Sequence, residues 1–373
     1  MGALNNNPNN FWPVVLFFLA IFALAFFYHW LTRKKISAPV ILLRLPENPI
    51  LSPVKEHWWE SEAVFNPAAF VDDGKVHLFY RALGRDGISR IGYAWSTDGL
   101  HFERLSYPVF SAENVQEVKS HFPYTSPVRL SYDTVNNPSG GGWGGLEDPR
   151  AIKIDGRIYL TFNAFNGWES MRVGLTSISE EDFKNKNWNW RKFVYLTDER
   201  NKNWMFFPDK INDKFALLHS IYSENGERVQ IKYLDSLHIH GPLQNLKSAD
   251  PHRLKDQKIA WHYRIRSAGT PPLRTKYGWL VLYHAMDPNE PSRYKVGALL
   301  LDLASPTKVI ARSDHPILEP DMWYENDWKP GIVYASGAVV LGEDLMVYYG
   351  GGDKYVAGAK VNLELLIKSL MRQ

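Results

Sequence analysis

A strand–turn–strand unit recurs five times between residues 75 and 361, and no long helical pattern interrupts it. The pairs are 75–82 (KVHLFYRA) with 89–96 (SRIGYAWS), 157–164 (RIYLTFNA) with 171–178 (MRVGLTSI), and 214–221 (KFALLHSI) with 228–234 (RVQIKYL). They continue with 278–285 (GWLVLYHA) and 294–302 (YKVGALLLD), then 345–351 (LMVYYGG) and 355–361 (YVAGAKV). Tight turns such as DDGK, IDGR and TKYG precede the first members, because glycine supplies the positive φ that hairpin turns require. Four of the second members carry a glycine at one place, Gly92, Gly174, Gly297 and Gly358, with Gln230 in the remaining unit. A strand glycine marks close backbone approach, expected here at a crowded central axis. A longer echo relates 48–53 (NPILSP) to 315–320 (HPILEP), as if the last unit closed on the first. Repeated antiparallel units with matching ends predict an all-β fold, a five-bladed β-propeller.

The ends of the chain follow other patterns. Leu363, Leu366, Ile367 and Leu370 share one face of a short terminal helix that Asn362 would cap. Phe11 to Leu31 is apolar over about 20 residues, enough to span a bilayer. Arg33, Lys34 and Lys35 follow it, and residues 1–10 hold no Lys or Arg. The positive-inside rule then predicts a single-pass membrane protein with its large domain in the cytoplasm. The expected organisation is a polar tail over 1–10, a transmembrane helix over 11–32, a linker over 33–46 and the propeller over 47–373. Basic residues number 43 and acidic residues 40, a balance that excludes a nucleic-acid partner. The chain has no cysteine, which excludes thiolate metal sites, disulfides and thiol nucleophiles.

The strongest local signal for chemistry is Gly-Gly-Leu-Glu-Asp-Pro-Arg at 144–150, opening the second unit. Neighbouring strand residues point to opposite faces, so one of Glu147 and Asp148 should face the axis, and Arg150 should share the side of Asp148. A carboxyl beside an arginine is suited to donating a proton. Elsewhere the chemistry is weaker. STDGLHF (96–102) suits a turn-stabilising hairpin, and the glycine run 140–145 lacks the Lys-Ser/Thr ending of a phosphate loop. His238 and His240 lack further ligands at metal-binding spacing, so no metal is expected.

Nine segments occur in an order that resembles glycoside hydrolase family 130: FNPAAF (65–70), YRA (80–82), GISRIGYAWSTDGLHF (87–102), GGLEDPR, FFPDKI (206–211), SAGTPPL (267–273), GWLVLYH (278–284), ILEP (317–320) and YYGGGD (348–353). The resemblance covers about residues 47–370. It implies a five-bladed propeller that phosphorolyses or hydrolyses β-mannosides, most simply β-1,4-mannosides giving α-mannose 1-phosphate. It assigns the general acid to Asp148, acting through the 3-hydroxyl of the bound mannose. It further implies sugar contacts at Asn66, Arg81 and Asp353, with Arg150 beside them, and phosphate contacts at Arg172, Lys210 and His219. No cofactor is implied beyond inorganic phosphate as co-substrate. The partners are an oligosaccharide and, through the N-terminal helix, the membrane.

Departures from the family pattern keep other readings open. Leu218-His219-Ser220 stands where Leu-His-Arg is usual, no arginine lies between Asn163 and Met171, and KPGIVYASGA replaces VPNVVFPCGA. Phosphorolysis needs one acid and a cationic clamp, whereas inverting hydrolysis needs a second carboxylate to activate water. Glu325 and Glu62 are candidates for that base. The alternatives are therefore a β-mannoside hydrolase on the same scaffold and a glycan-binding propeller without catalysis.

Overall fold

The computed structural model describes residues 17–22, 39–112, 139–166, 171–198, 200–223, 227–244, 261–262 and 264–372. The chain divides into two compact units, Met1–Pro39 and Val40–Gln373. In the first, residues 17–22 are helical, and the remainder of the expected 11–32 span lies outside the described residues. Among the described residues no helix is long and apolar enough to cross a membrane. The expected transmembrane anchor is therefore not supported.

The second unit is built mostly of strands. It begins with β1 (Leu43–Arg44) and then forms β2 (Ala63–Asp72), β3 (Lys75–Leu83), β4 (Ile88–Ser96) and β5 (Glu103–Arg104). A second group follows: β6 (Gly144–Ile154), β7 (Arg157–Phe165), β8 (Arg172–Ser179) and β9 (Val194–Tyr195). The third group is β10 (Met205–Phe206), β11 (Phe215–Ser223) and β12 (Glu227–Leu234). The fourth is β13 (Arg264–Ala268), β14 (Leu273–Thr275), β15 (Gly278–Asp287), β16 (Glu290–Leu301) and β17 (Val309–Arg312). The last is β18 (Val333–Leu341), β19 (Asp344–Gly351) and β20 (Tyr355–Asn362). Within each group neighbouring strands pair antiparallel. A two-residue parallel contact between β4 and β6 joins the first two groups into one eight-stranded sheet. None of the sheets closes on itself.

Five large apolar clusters fill the spaces between groups, and each draws on two neighbours. Phe79 and Tyr93 meet Ile158 and Phe162, Leu175 meets Phe206 and Leu217, and Leu218 meets Trp279. Leu282 and Val296 meet Val333 and Tyr349, while Tyr80 and Leu78 meet Met346 and Tyr348. The fifth group thus packs on both the fourth and the first. β1 adds to the outer edge of β20 through Leu43↔Lys360 and Arg44↔Ala359, although its residues lie in the stretch expected to be linker. Asn48 fastens the same edge, its amide donating to the Gly358 carbonyl at 2.7 Å while its oxygen accepts from the Gly358 amide at 2.7 Å. The terminal helix is present over Leu363–Met371. Asn362 caps it, and Leu366, Ile367 and Leu370 are buried.

The recurring glycines have a different physical reason from the one expected. Gly92, Gly174 and Gly297 pair across the ladder with Tyr80, Phe162 and Tyr283. A Cβ at Gly174 would stand 2.4 Å from the Phe162 ring. Each ring lies over the bare backbone of its neighbour, so the glycines admit aromatics into the cores rather than crowd an axis. Gly174→Ala should therefore lower unfolding free energy by about 1–3 kcal/mol through overpacking. Urea titration should show a reduced midpoint at an unchanged slope.

Candidate active site

Every group carries a register shift, in its first strand in four of them and in the second strand, β11, in the third. Register shifts interrupt β2 between Phe65 and Ala68, β6 between Glu147 and Arg150, β11 between Leu218 and Ser220, β13 between Ile265 and Ser267, and β18 between Ala335 and Gly337. Bulges re-aim side chains that strict alternation would send elsewhere. In β2 and β6 the bulged residue precedes a proline and has positive φ, 48° at both Asn66 and Asp148. Asn and Asp enter that region more readily than other non-glycine residues.

The bulge brings both acidic residues of the second group to one guanidinium. Arg81 Nη2 donates to Glu147 Oε1 at 2.8 Å, and Arg81 Nη1 lies 3.4 Å from Asp148 Oδ1. Asn66 Nδ2 donates to the same Asp148 oxygen at 2.7 Å. Arg81 is itself held by the Ser89 hydroxyl at 3.0 Å and the Ser139 carbonyl at 2.8 Å. The Ser139 hydroxyl donates to Glu147 Oε2 at 2.8 Å. The expectation that only one carboxyl could point inward is corrected, because the bulge suspends the two-residue period between them.

Arg150 turns away from the Asp148 carboxylate. Its Nε donates to the Gly269 carbonyl at 2.5 Å and Nη1 to the backbone oxygens of Asp148 and Pro149 at 3.0 Å. Its guanidinium lies over the Tyr334 ring, and Tyr334 stacks on His284 with centroids 4.1 Å apart. It therefore braces β6 against the fourth and fifth groups while keeping its charge near the acid.

Electrostatics distinguish the two carboxyls. Burial pushes Glu147 up, Arg81 opposes this, the charge of Asp148 adds to it, and the result is about 7. Burial also acts upward on Asp148, but Arg81, Arg150, the Asn66 hydrogen bond and Lys202 together hold it below its ordinary value. Lys202 is a residue that sequence reasoning missed. Burial and the charge of Arg266 lower its pKa, while Tyr294, Asp148 and Glu147 pull the other way, so these groups share one field. Arg266, at the bulge of β13, and Lys329 both lie over the Tyr294 ring. Lys329 also approaches Asp353 at 3.3 Å. Asp353 sits in a turn at φ 54°, three residues beyond Gly350, whose backbone packs on the Asn66 side chain.

The remaining expected residues lie elsewhere. Lys210 pairs with Asp155 at 2.9 Å, at the end of β6 remote from Asp148. Arg172 lines a cavity of about 720 Å³ with Asn166, Lys192, Asp198 and His240. His219 occupies the β11 bulge beside Trp204, and burial followed by the charge of Lys232 lowers its pKa to about 4, so it is neutral at pH 7. Glu325 is buried and accepts from Arg44, Tyr349 and the Asp321 and Met322 amides. Its two oxygens accept five hydrogen bonds from protein groups, which suits it to structure rather than to activating a water. Glu62 stands 3.9 Å from Arg85 on the periphery. The STDG hairpin is structural, with Asp98 Oδ1 accepting from the Leu100 and His101 amides.

An all-β scaffold that converges a carboxylate, an amide, a guanidinium and several cations is one suited to breaking glycosidic bonds. Residues 134–372 match the sequence model of glycoside hydrolase family 130, described as β-1,4-mannooligosaccharide phosphorylase. The chain is 36% identical over 337 residues to a 1,2-β-oligomannan phosphorylase of Thermoanaerobacter sp. (strain X514), covering 87% of this chain and 98% of the relative. It is 35% identical, with the same coverage, to a β-1,2-mannobiose phosphorylase of that organism. A glycosyl hydrolase from Bacteroides ovatus shares the fold at a TM-score of 0.68 and 23% identity, covering 88% of this chain and 95% of that one. The chain is an enzyme of the mannoside-phosphorylase family, glycoside hydrolase family 130.

Two expectations change with these matches. The β-1,4 linkage is not supported, because the relatives above 30% identity are named for β-1,2 linkages. The single-pass membrane location and the membrane as a partner are overturned. Among the described residues no helix can cross a bilayer, and the relatives, matched over nearly their whole length, are named as phosphorylases.

Arg81→Met would leave Glu147 buried without its counter-ion. The variant should lose about 3–5 kcal/mol of stability at pH 8. Removing the cation raises the carboxyl pKa further, and a carboxyl with a raised folded pKa destabilises as pH climbs through that value. The loss measured by chemical denaturation should therefore shrink at pH 5.

Proposed function

We propose that this protein phosphorolyses β-1,2-linked mannosides, with inversion, to α-mannose 1-phosphate. The observation that carries the reading is Asp148, held on a left-handed bulge between Asn66 and Arg81 with Arg150 and Lys202 in its field. The β-1,2 preference rests on the names of the relatives above 30% identity. The five antiparallel groups, packed in cyclic succession, are read as the five blades of a propeller whose innermost strands carry bulges in four blades.

In this reading Asp148 is the general acid. Asn66, Arg81 and Asp353 orient the mannose, and Arg150 fixes the backbone that carries the acid. Lys202 and Arg266 face the anionic co-substrate, with Arg172 at the margin, while Lys210 and neutral His219 contribute no charge there. The proton of Asp148 passes, by way of the mannose 3-hydroxyl, to the departing sugar oxygen, which keeps the electron pair of the broken C–O bond. An oxygen of hydrogenphosphate forms the new bond to C1 from the opposite face. The proton left on that phosphate is released, and one proton returns the acid to its starting state. Phosphate is already an anion, so the site needs cations to receive it rather than a second base. The hydrolytic alternative requires a free carboxylate about 6.5–9.5 Å from the acid. Glu325 is saturated by structural hydrogen bonds and Glu147 is tied to Arg81, which favours phosphorolysis.

Product analysis with β-1,2-mannobiose is the test. Turnover should require added phosphate and yield mannose 1-phosphate, while β-1,4-mannobiose should react more slowly. Free mannose formed without phosphate would establish hydrolysis instead. Asp148→Asn should cut kcat by about 10²–10⁴-fold, the usual worth of a general acid, with little change in the unfolding midpoint.

A further inference from the structure

Glu147 has no task in the reaction as written, yet it is a carboxyl buried at 1% exposure. Burying such a group costs several kcal/mol unless its partners compensate. Its partners are unusually specific. Arg81 offers Nη2 to Glu147 at 2.8 Å but leaves Asp148 only Nη1 at 3.4 Å, beyond the 2.7–2.9 Å of a charge-assisted hydrogen bond. A guanidinium free to turn would grip the acid with both nitrogens, as arginine and carboxylate do. The acid would then be fixed as a carboxylate and could not carry a proton.

What prevents this is a set of contacts on the other side of the fork. Nε donates to the Ser89 hydroxyl, Nη2 also donates to the Ser139 carbonyl, and the Ser139 hydroxyl pins Glu147 Oε2. Gly140, at φ 56°, packs against Phe65 and the Arg81 side chain, so the turn that carries Ser139 lies directly on this arrangement. The charged groups in the field of Asp148 are Arg81 from β3, Glu147 and Arg150 from β6, and Lys202 from the segment before β10. Three are cations, and Glu147 is the one other anion among those named.

We propose that Glu147 is a positioning residue that draws the Arg81 fork away from Asp148, so that Asp148 can regain its proton in each turnover. The inference rests on the reading of Asp148 as the acid. Glu147 and Asp148 form a coupled pair, and a negative charge on either one favours a proton on the other.

The experiment compares kcat/KM against pH for the wild type and Glu147→Gln, with β-1,2-mannobiose at one fixed phosphate concentration. Titration of phosphate is common to both curves, so the displacement between them is what is read. Loss of the Glu147 carboxylate frees the Arg81 fork to turn to Asp148, which lowers the Asp148 pKa, and the alkaline limb should move about one unit toward acid. That is about a tenfold loss on the alkaline side, with less than about threefold change at the acidic end. A uniform loss at every pH, an unmoved limb or a shift toward alkali overturns the proposal and reduces Glu147 to packing. Should Glu147→Gln not fold by circular dichroism, Ser139→Ala decides in its place. It removes the hydroxyl that pins Glu147 Oε2 and loosens the hold of Glu147 on Arg81, so the limb should move the same way, by about threefold in rate. Asp148→Asn in the same assays keeps the two readings apart. If it retains activity the acid is misassigned, whereas an inactive Asp148→Asn beside an unshifted Glu147→Gln defeats only the present inference.

Discussion

The guanidinium of Arg81 ties the first group of strands to the second, and the site depends on how its donors are divided. It leaves β3 and meets, across the gap to β6, two carboxyls that are neighbours in sequence. A buried cation between two buried acids needs acceptors for its donors, and Ser89 and Ser139 supply two of the four that Arg81 meets. The result is asymmetric. One acid is tightly paired, and the other is held mainly by the neutral amide of Asn66. That asymmetry lets one carboxyl serve structure while its neighbour stays available for chemistry.

The scaffold supports this through repetition with small departures. The first strands of four groups bulge, and the residue at the bulge differs: Asn66, Asp148, Arg266 and Ser336. One backbone device thus presents an amide, an acid, a cation and a hydroxyl, while in the third group the shift falls on the second strand at His219. Arg266 supplies a positive charge in a chain whose third group reads Leu218-His219-Ser220, without the arginine usual in the family.

Much of the architecture was legible in the sequence. The alternating segments 75–82, 157–164 and 345–351 fall inside β3, β7 and β19, because alternation and turn glycines report a sheet directly. The recurring glycines were visible, but their reason was not, since the ring opposite each is known only once register is fixed. At the site, period-two reasoning set Glu147 against Asp148 and failed, because a bulge leaves no mark in hydrophobicity. The shared Asx-Pro of Asn66-Pro67 and Asp148-Pro149 was the available signal. Lys202 and Lys210 flank one Phe-Phe-Pro stretch, and only tertiary structure distinguishes the lysine beside the carboxylates from the one beside Asp155. Of the apolar stretch 11–31, residues 17–22 are helical and the others lie outside the described residues.

The pairing of β1 with β20 has a consequence for biosynthesis. Asn48 and Gly358 are 310 residues apart, yet they exchange two hydrogen bonds at 2.7 Å. Residues 42–51 must wait until the segment around Gly358, 310 residues later, has been made before their edge partner exists. Such non-local pairing is slow to form, and the bare edge of β20 is a strand-pairing surface until it does. The nascent chain is therefore most exposed to self-association in the interval between the synthesis of β20 and the docking of β1 on its edge.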